Sequence, residues 1–172
     1  DYAGSIARPE FNSVLGFPLF QEIERVFAQG KPTQYMAYRL NQHMQYRDPY
    51  RVVNFVDNHD VKRFLSAGSV ASFKQALALI FTIPGIPAIY QGSEQGFTGS
   101  RQSMFAPHNG QPNAFNPQSP LYQFIQKLAT LRLSDDAFTL GDLQVLQADK
   151  TGAGALVYTR SYTDPNTQKT RH

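Results

Sequence analysis

The sequence predicts an α/β fold in which parallel strands alternate with helices, followed by a β-rich unit. Short apolar runs recur, each leading into a segment of helical periodicity, and the period changes from helical to strand-like beyond Ser134. From Val14 to Val52 is 38 residues and from Val52 to Ile86 is 34. A (β/α)8 barrel of about 250 residues averages roughly 31 per unit, whereas a doubly wound sheet more often announces itself by a glycine-rich first turn. No GxGxxG or P-loop pattern is present. Three parallel strands cannot close a barrel, so residues 1–134 are expected to form under half of one. Residues 135–172 are expected to begin a β-rich domain that is cut short.

The first run, Ser13 to Phe17, leads into Leu19 to Ala28, where Ile23, Val26 and Phe27 share a face and Gly30 can close the helix. Met36, Leu40 and Met44 then repeat every four residues, a packing stripe on a second helix. The second run, Val52 to Val56, is β-branched and aromatic and reads as a buried strand. Ser72 to Ile83 follows with Phe73, Leu77 and Ile80 at helical spacing, ended by Pro84-Gly85. In the third run, Ile86 to Tyr90, Pro87 is expected at the strand entrance, where a missing N–H costs least. After a polar stretch from Gln91 to Gln118, Ser119 can cap a helix with Pro120 in its first position, carrying Leu121, Phe124, Ile125, Leu128 and Leu131 to about Ser134. Leu143 to Leu146 and Leu156 to Tyr158 read as two strands, and a returning strand is expected near Thr170.

Composition narrows the classes of function. At 172 residues, 41% apolar and 17% charged, the chain has the make-up of a folded domain rather than a disordered one. Sixteen Lys and Arg against thirteen Asp and Glu give a charge of +3, but the basic residues are scattered with one adjacent pair, Lys62-Arg63. Without a continuous basic stripe, no nucleic-acid partner is expected. No apolar run approaches the roughly 20 residues of a membrane span, so no membrane partner is expected either. The opening DYAGSIARPE lacks a charged and then apolar leader and an initiating Met. Cysteine is absent, which excludes disulfides and thiolate chemistry and leaves the compartment open.

The residues that carry chemistry lie directly beyond the second strand, in Phe55-Val-Asp-Asn-His-Asp60. Ionisable groups at the C-terminal end of a buried parallel strand lie where barrel loops build an active site. Asp57, Asn58 and Asp60 are equally good helix caps, so this segment is informative only with a second motif, Gly85-Ile-Pro-Ala-Ile-Tyr-Gln-Gly-Ser-Glu94. Together the two resemble the α-amylase family, glycoside hydrolase family 13. There an apolar strand ending in Asn-His-Asp is the seventh barrel strand and the Gly-Ile-Pro segment the eighth. The resemblance extends to Ser13-Val-Leu-Gly-Phe-Pro-Leu19, similar to the sixth strand, to Asp48-Pro49, and to Leu121 to Arg132, similar to the closing helix.

The resemblance implies the C-terminal part of a (β/α)8 TIM barrel, about strands 6 to 8, followed by the start of an all-β C-terminal domain. It implies a retaining glycosidase acting on α-1,4-glucosidic bonds, with an α-glucan or malto-oligosaccharide as substrate. Asp60 would be the catalytic carboxylate that binds the distorted sugar, His59 would donate to a hydroxyl of the same sugar, and Arg63 would reach along the cleft to a neighbouring unit or a carboxylate. The nucleophilic Asp and the general-acid Glu belong to the fourth and fifth strands, upstream of Asp1, so this chain alone is expected to be inactive. Gln91 stands where many relatives have a second aromatic. Glu94 reads as a structural carboxylate pairing with a nearby Arg, and Tyr90 as rim packing or a sugar platform. His43 and His108 lack ligand spacing to His59, so no metal site or cofactor is expected within the chain. Calcium, bound by many members of that family, would use mostly upstream residues. Three readings compete with the hydrolase: a glucanotransferase of the same family, a non-catalytic sugar-binding module, and a metal phosphohydrolase using His59-Asp60.

Overall fold

The computed structural model describes residues 12–106 and 112–172. Its centre is a short parallel arrangement. Strand β1 (Val53–Phe55) pairs in parallel with β2 (Ile86–Ala88), placing Val53 opposite Ile86 and Phe55 opposite Ala88. On the other side of β1, Leu15 forms a parallel bridge to Val53, secured by Gly16 N–H donating to Val53 O at 2.7 Å and Val53 N–H donating to Val14 O at 2.9 Å. The first apolar run is thus reduced to a single bridge, because the helix begins at Phe17, with Pro18 in its first turn.

Helix α1 (Phe17–Ile23) continues into a π-helical turn, Glu24–Ala28, and Gly30 then reverses the chain with φ +67°. Helix α2 (Gln34–His43) buries Met36 and Leu40 as the spacing predicts. The third inward position is His43, however, and Met44 is only half-buried at the helix end. Helix α3 (Val70–Thr82) is started by Ser69, whose hydroxyl accepts from Ser72 N–H at 3.1 Å. Phe73, Ala76, Leu77, Leu79, Ile80 and Phe81 are all buried along it, more than a one-sided stripe would need. Ile83 is extended, as a residue before proline must be, and ends the helix.

Pro87 sits in the middle of β2 rather than at its entrance. Alternate residues of a strand turn their N–H groups to opposite sides; Ile86 N–H donates to Val52 O at 2.8 Å, so the nitrogen of Pro87 faces away from β1 and no bond to β1 is lost. At Gly85, which leads into β2 with φ +117°, a Cβ would lie 2.4 Å from Asn54 Nδ2 and 2.6 Å from Val52 O. Only glycine fits this approach.

Helix α4 (Pro120–Ser134) packs Leu121 and Leu128 into the same core. Ser119 does not cap it with its side chain; its hydroxyl instead donates to Glu94 O at 2.7 Å, tying the helix start to the loop after β2. After the short helix α5 (Asp136–Leu140), strands β3 (Asp142–Ala148), β4 (Leu156–Thr163) and β5 (Thr170–Arg171) form an antiparallel sheet with a register shift at Leu146. Leu143, Val145, Leu156 and Tyr158 rest on the helical core, and the Tyr158 hydroxyl meets Thr82 Oγ1 at 2.6 Å.

Two arginines lock these parts together through carbonyls. Arg132 donates to Phe81, Ile83 and Gly85, and Arg160 to Thr82, Phe138, Gly141 and Asp142. The carbonyls at the C-terminal end of α3, which have no intrahelical partner, are thereby satisfied by cations where the helix dipole favours them. Burial pulls the Arg160 guanidinium down to about 10, and the charge of Arg132 acts in the same direction.

Candidate active site

Because β1 and β2 run in parallel, the loops that follow them leave the sheet at the same end. The first loop carries Asp57 to Arg63 and the second Ile89 to Arg101. Their meeting has a buried layer and an exposed layer.

The buried layer centres on Asp57, which is 4% exposed. Its Oδ1 accepts from the Ser93 hydroxyl at 2.8 Å and its Oδ2 from Phe64 N–H at 3.1 Å. Arg63 lies beside it, Nη1 to Oδ1 at 3.7 Å, and is only 1% exposed. The guanidinium donates to Ser93 Oγ at 3.1 Å, to Gln91 O at 2.6 Å and to Gly99 O at 3.3 Å, and one face is covered by the Tyr90 ring at 3.9 Å. Two buried charges are tolerated here because they face each other and are hydrogen-bonded on several sides. Of the two reaches expected of Arg63, the one to a carboxylate is met by Asp57, while the one along an open cleft to a sugar unit is corrected: its donors point inward and staple the second loop to the first. Tyr90 spends one ring face on that guanidinium. Glu94 accepts from Gly92 N–H at 2.9 Å, shaping its own turn, and among the described residues it forms no ion pair with an arginine.

The exposed layer holds His59 and Asp60. Asn58 Oδ1 accepts from Asp60 N–H at 2.8 Å, an Asx turn that fixes the backbone of the pair. His59 Nε2 lies 3.3 Å from Asp60 Oδ2, and both side chains are more than half exposed, at 59% and 58%. The His59 ring also approaches Tyr90, with centroids 6.2 Å apart. From the second loop, Arg101 Nη2 lies 3.4 Å from Asp60 Oδ1.

A family model described as "Alpha amylase, catalytic domain" matches residues 9–119. The chain belongs to the α-amylase family. A cyclomaltodextrin glucanotransferase of Thermoanaerobacterium thermosulfurigenes is 37% identical over 135 residues, covering 77% of this chain and 18% of that protein. A "Beta/alpha-amylase" of Paenibacillus polymyxa is 33% identical over 175 residues, covering 91% of this chain and 14% of its own length. Among solved structures, CldA, described as a cyclomaltodextrin glucanotransferase with a three-domain ABC distribution, superposes with a TM-score of 0.80 at 30% identity, over 94% of this chain and 33% of that one. The chain thus spans less than one fifth of the two curated relatives. Within this α-amylase-family chain, the three parallel segments and their helices are part of a TIM barrel.

The site chemistry follows from the two layers. Asp60 presents both carboxylate oxygens near solvent, where each can accept a further hydrogen bond from a hydroxyl group; Asp57 cannot, because it is buried beneath the loops that hold Ser93 and Phe64. His43 takes no part in this site: it is 2% exposed, its Nε2 is 3.0 Å from Pro49 O, and burial lowers its pKa to about 4. Among the described residues no group of three His, Asp or Glu side chains converges as a metal site, and no helix is long and apolar enough to cross a membrane. His108 lies outside the described residues. Sequence reasoning did not find Ser93, Gly99 or Arg101. Only the placement of Asp57 immediately after a strand signalled the buried layer.

Proposed function

We propose that this chain is the C-terminal part of the catalytic barrel of an α-glucan-active retaining glycosidase, about strands 6 to 8, with residues 135–172 beginning a C-terminal β domain. The observation that carries the reading is the exposed His59-Asp60 pair at the C-terminal end of the central parallel strand, held up by the buried Asp57, Ser93 and Arg63 layer.

A retaining glycosidase passes twice through an oxocarbenium-like transition state with a flattened ring. A fixed carboxylate accepting from ring hydroxyls binds that distorted sugar better than the relaxed one, and only such differential binding accelerates the reaction. Asp60 has this role. His59 orients the same sugar by donating to a hydroxyl, and Arg63 acts as a positioning residue beneath them. The nucleophile and the general acid come from strands upstream, which leaves this chain inactive alone. Any calcium in the whole protein would be held mostly by upstream residues.

Hydrolysis and glycosyl transfer use the same residues, and the named relatives support either outcome. The full-length protein incubated with maltoheptaose decides: shorter products alone mean hydrolysis, and longer or cyclic products mean transfer. Binding without any product would leave the sugar-binding module. Asp60→Asn is expected to lower kcat about 100- to 1000-fold, in the range of a lost transition-state contact. Undiminished turnover in that variant would end the reading.

A further inference from the structure

Beside His59, Asp60 receives a second side-chain partner, the Arg101 guanidinium, from the loop that follows β2. The Arg101 guanidinium is a fork: Nε–H donates to His59 O at 3.1 Å while Nη2 reaches Asp60 Oδ1 at 3.4 Å. One planar group thus holds both the backbone and the carboxylate of the His59-Asp60 dipeptide, a geometry a lysine cannot reproduce. Arg101 occupies a left-handed backbone conformation with φ +49°, which side chains other than glycine and asparagine seldom adopt. Strain of this kind persists where surrounding structure enforces it. Two residues earlier the buried Arg63 donates to Gly99 O at 3.3 Å, tying the loop down close to Arg101. Arg63 therefore anchors the second loop to the first, and the loop delivers Arg101 to Asp60.

The pair is open to solvent, with Arg101 and Asp60 side chains 70% and 58% exposed. Exposed ion pairs contribute little to stability, so fold maintenance does not account for the arrangement. Its effect is directional. With Arg101 on Oδ1 and His59 on Oδ2, the carboxylate plane is set from both edges before any sugar arrives.

We infer that Arg101 is a positioning residue that presets the Asp60 carboxylate for transition-state binding through its joint grip on His59 O and Asp60 Oδ1. The inference rests on the role proposed above for Asp60.

The test is a double-mutant cycle in the full-length protein with maltoheptaose as substrate. Arg101→Ala is expected to lower kcat about tenfold with KM changed less than twofold, and Arg101→Lys to recover part of that loss. Combining Arg101→Ala with Asp60→Asn should be no worse than Asp60→Asn alone, because a residue acting only through Asp60 has nothing left to position. The melting temperature of Arg101→Ala should stay close to that of the parent. A raised KM with unchanged kcat, losses that multiply in the double variant, or a large fall in melting temperature would each overturn the inference, the first two indicating direct sugar contact and the third a structural role. Unchanged kinetics in Arg101→Ala beside an inactive Asp60→Asn refutes the positioning role alone, whereas full activity in Asp60→Asn refutes the reading of Asp60 itself.

Discussion

The Ser93 hydroxyl donates to Asp57 Oδ1 at 2.8 Å, joining two loops that are 36 residues apart in the chain. Both side chains are buried, and Arg63 completes the cluster by donating to the same hydroxyl. The exposed His59-Asp60 pair therefore rests on a buried polar platform, in which an unpaired member is costly.

Ser93→Ala removes the donor to Asp57 and the acceptor for Arg63 together. Unfolding of the full-length protein in urea should show a loss of about 1–3 kcal/mol, the cost of leaving buried polar groups unsatisfied. A change below about 0.5 kcal/mol would mean that the cluster repacks freely.

Arg63→Lys keeps the charge and loses the fork. A single ammonium cannot serve Ser93 Oγ, Gln91 O and Gly99 O from one position, so the second loop should loosen. Proteolysis of the full-length protein should then cut faster between Gln91 and Arg101, and kcat should fall. Arg63→Met, which leaves Asp57 as an unpaired buried charge, is expected to cost about 3–5 kcal/mol.

Gly85→Ala places a methyl group against Asn54 Nδ2 and Val52 O in a backbone conformation with φ +117°. Overpacking and the conformational penalty together predict a loss on the order of 3 kcal/mol, read as a lower melting temperature. Gly30→Ala provides the contrast: φ is +67° there but no atom lies within 4 Å of the added Cβ, so only the conformational part should be lost.

His43 gives the protein an acid-sensitive element. Burial lowers its pKa from 6.5 to about 4, outweighing the opposing hydrogen bond to Pro49 O. In the unfolded chain the ring takes up a proton near pH 6.5, while the folded chain refuses it until about pH 4. Its contribution is thus fully present above pH 6.5 and is lost as pH falls toward 4, by roughly 3 kcal/mol in total. Urea midpoints at pH 7 and pH 5 should converge in His43→Gln, whose amide can still donate to the Pro49 carbonyl. An unchanged difference between the two pH values would assign the acid sensitivity to other groups.

Helices α2, α3 and α4 and strand β1 were legible because their signals are local. Four-residue apolar spacing in α2, the Pro84 end of α3, and a β-branched run before a polar cluster each follow from neighbours a few positions apart, whereas the start of α3, expected at Ser72, lies at Val70 behind the Ser69 cap. The first strand was overestimated because Pro18 favours a helix start over a longer ladder. Pro87 was misplaced because strand-entrance logic ignores which side of β2 carries the paired N–H groups.

In the site, the residue types of the His59-Asp60 pair and their place beyond a strand were written in the sequence. The direction of Arg63 was not, and neither was the arrival of Arg101 or the inward turn of His43. Periodicity reports which side of its own element a residue occupies, and chain-local chemistry reports what that residue can bind. Whether a guanidinium turns toward solvent or into a gap between two loops depends on carbonyls, hydroxyls and carboxylates that approach from 28 to 42 positions away. Those partners come within reach only after the helices have packed and the two strand ends have been brought side by side.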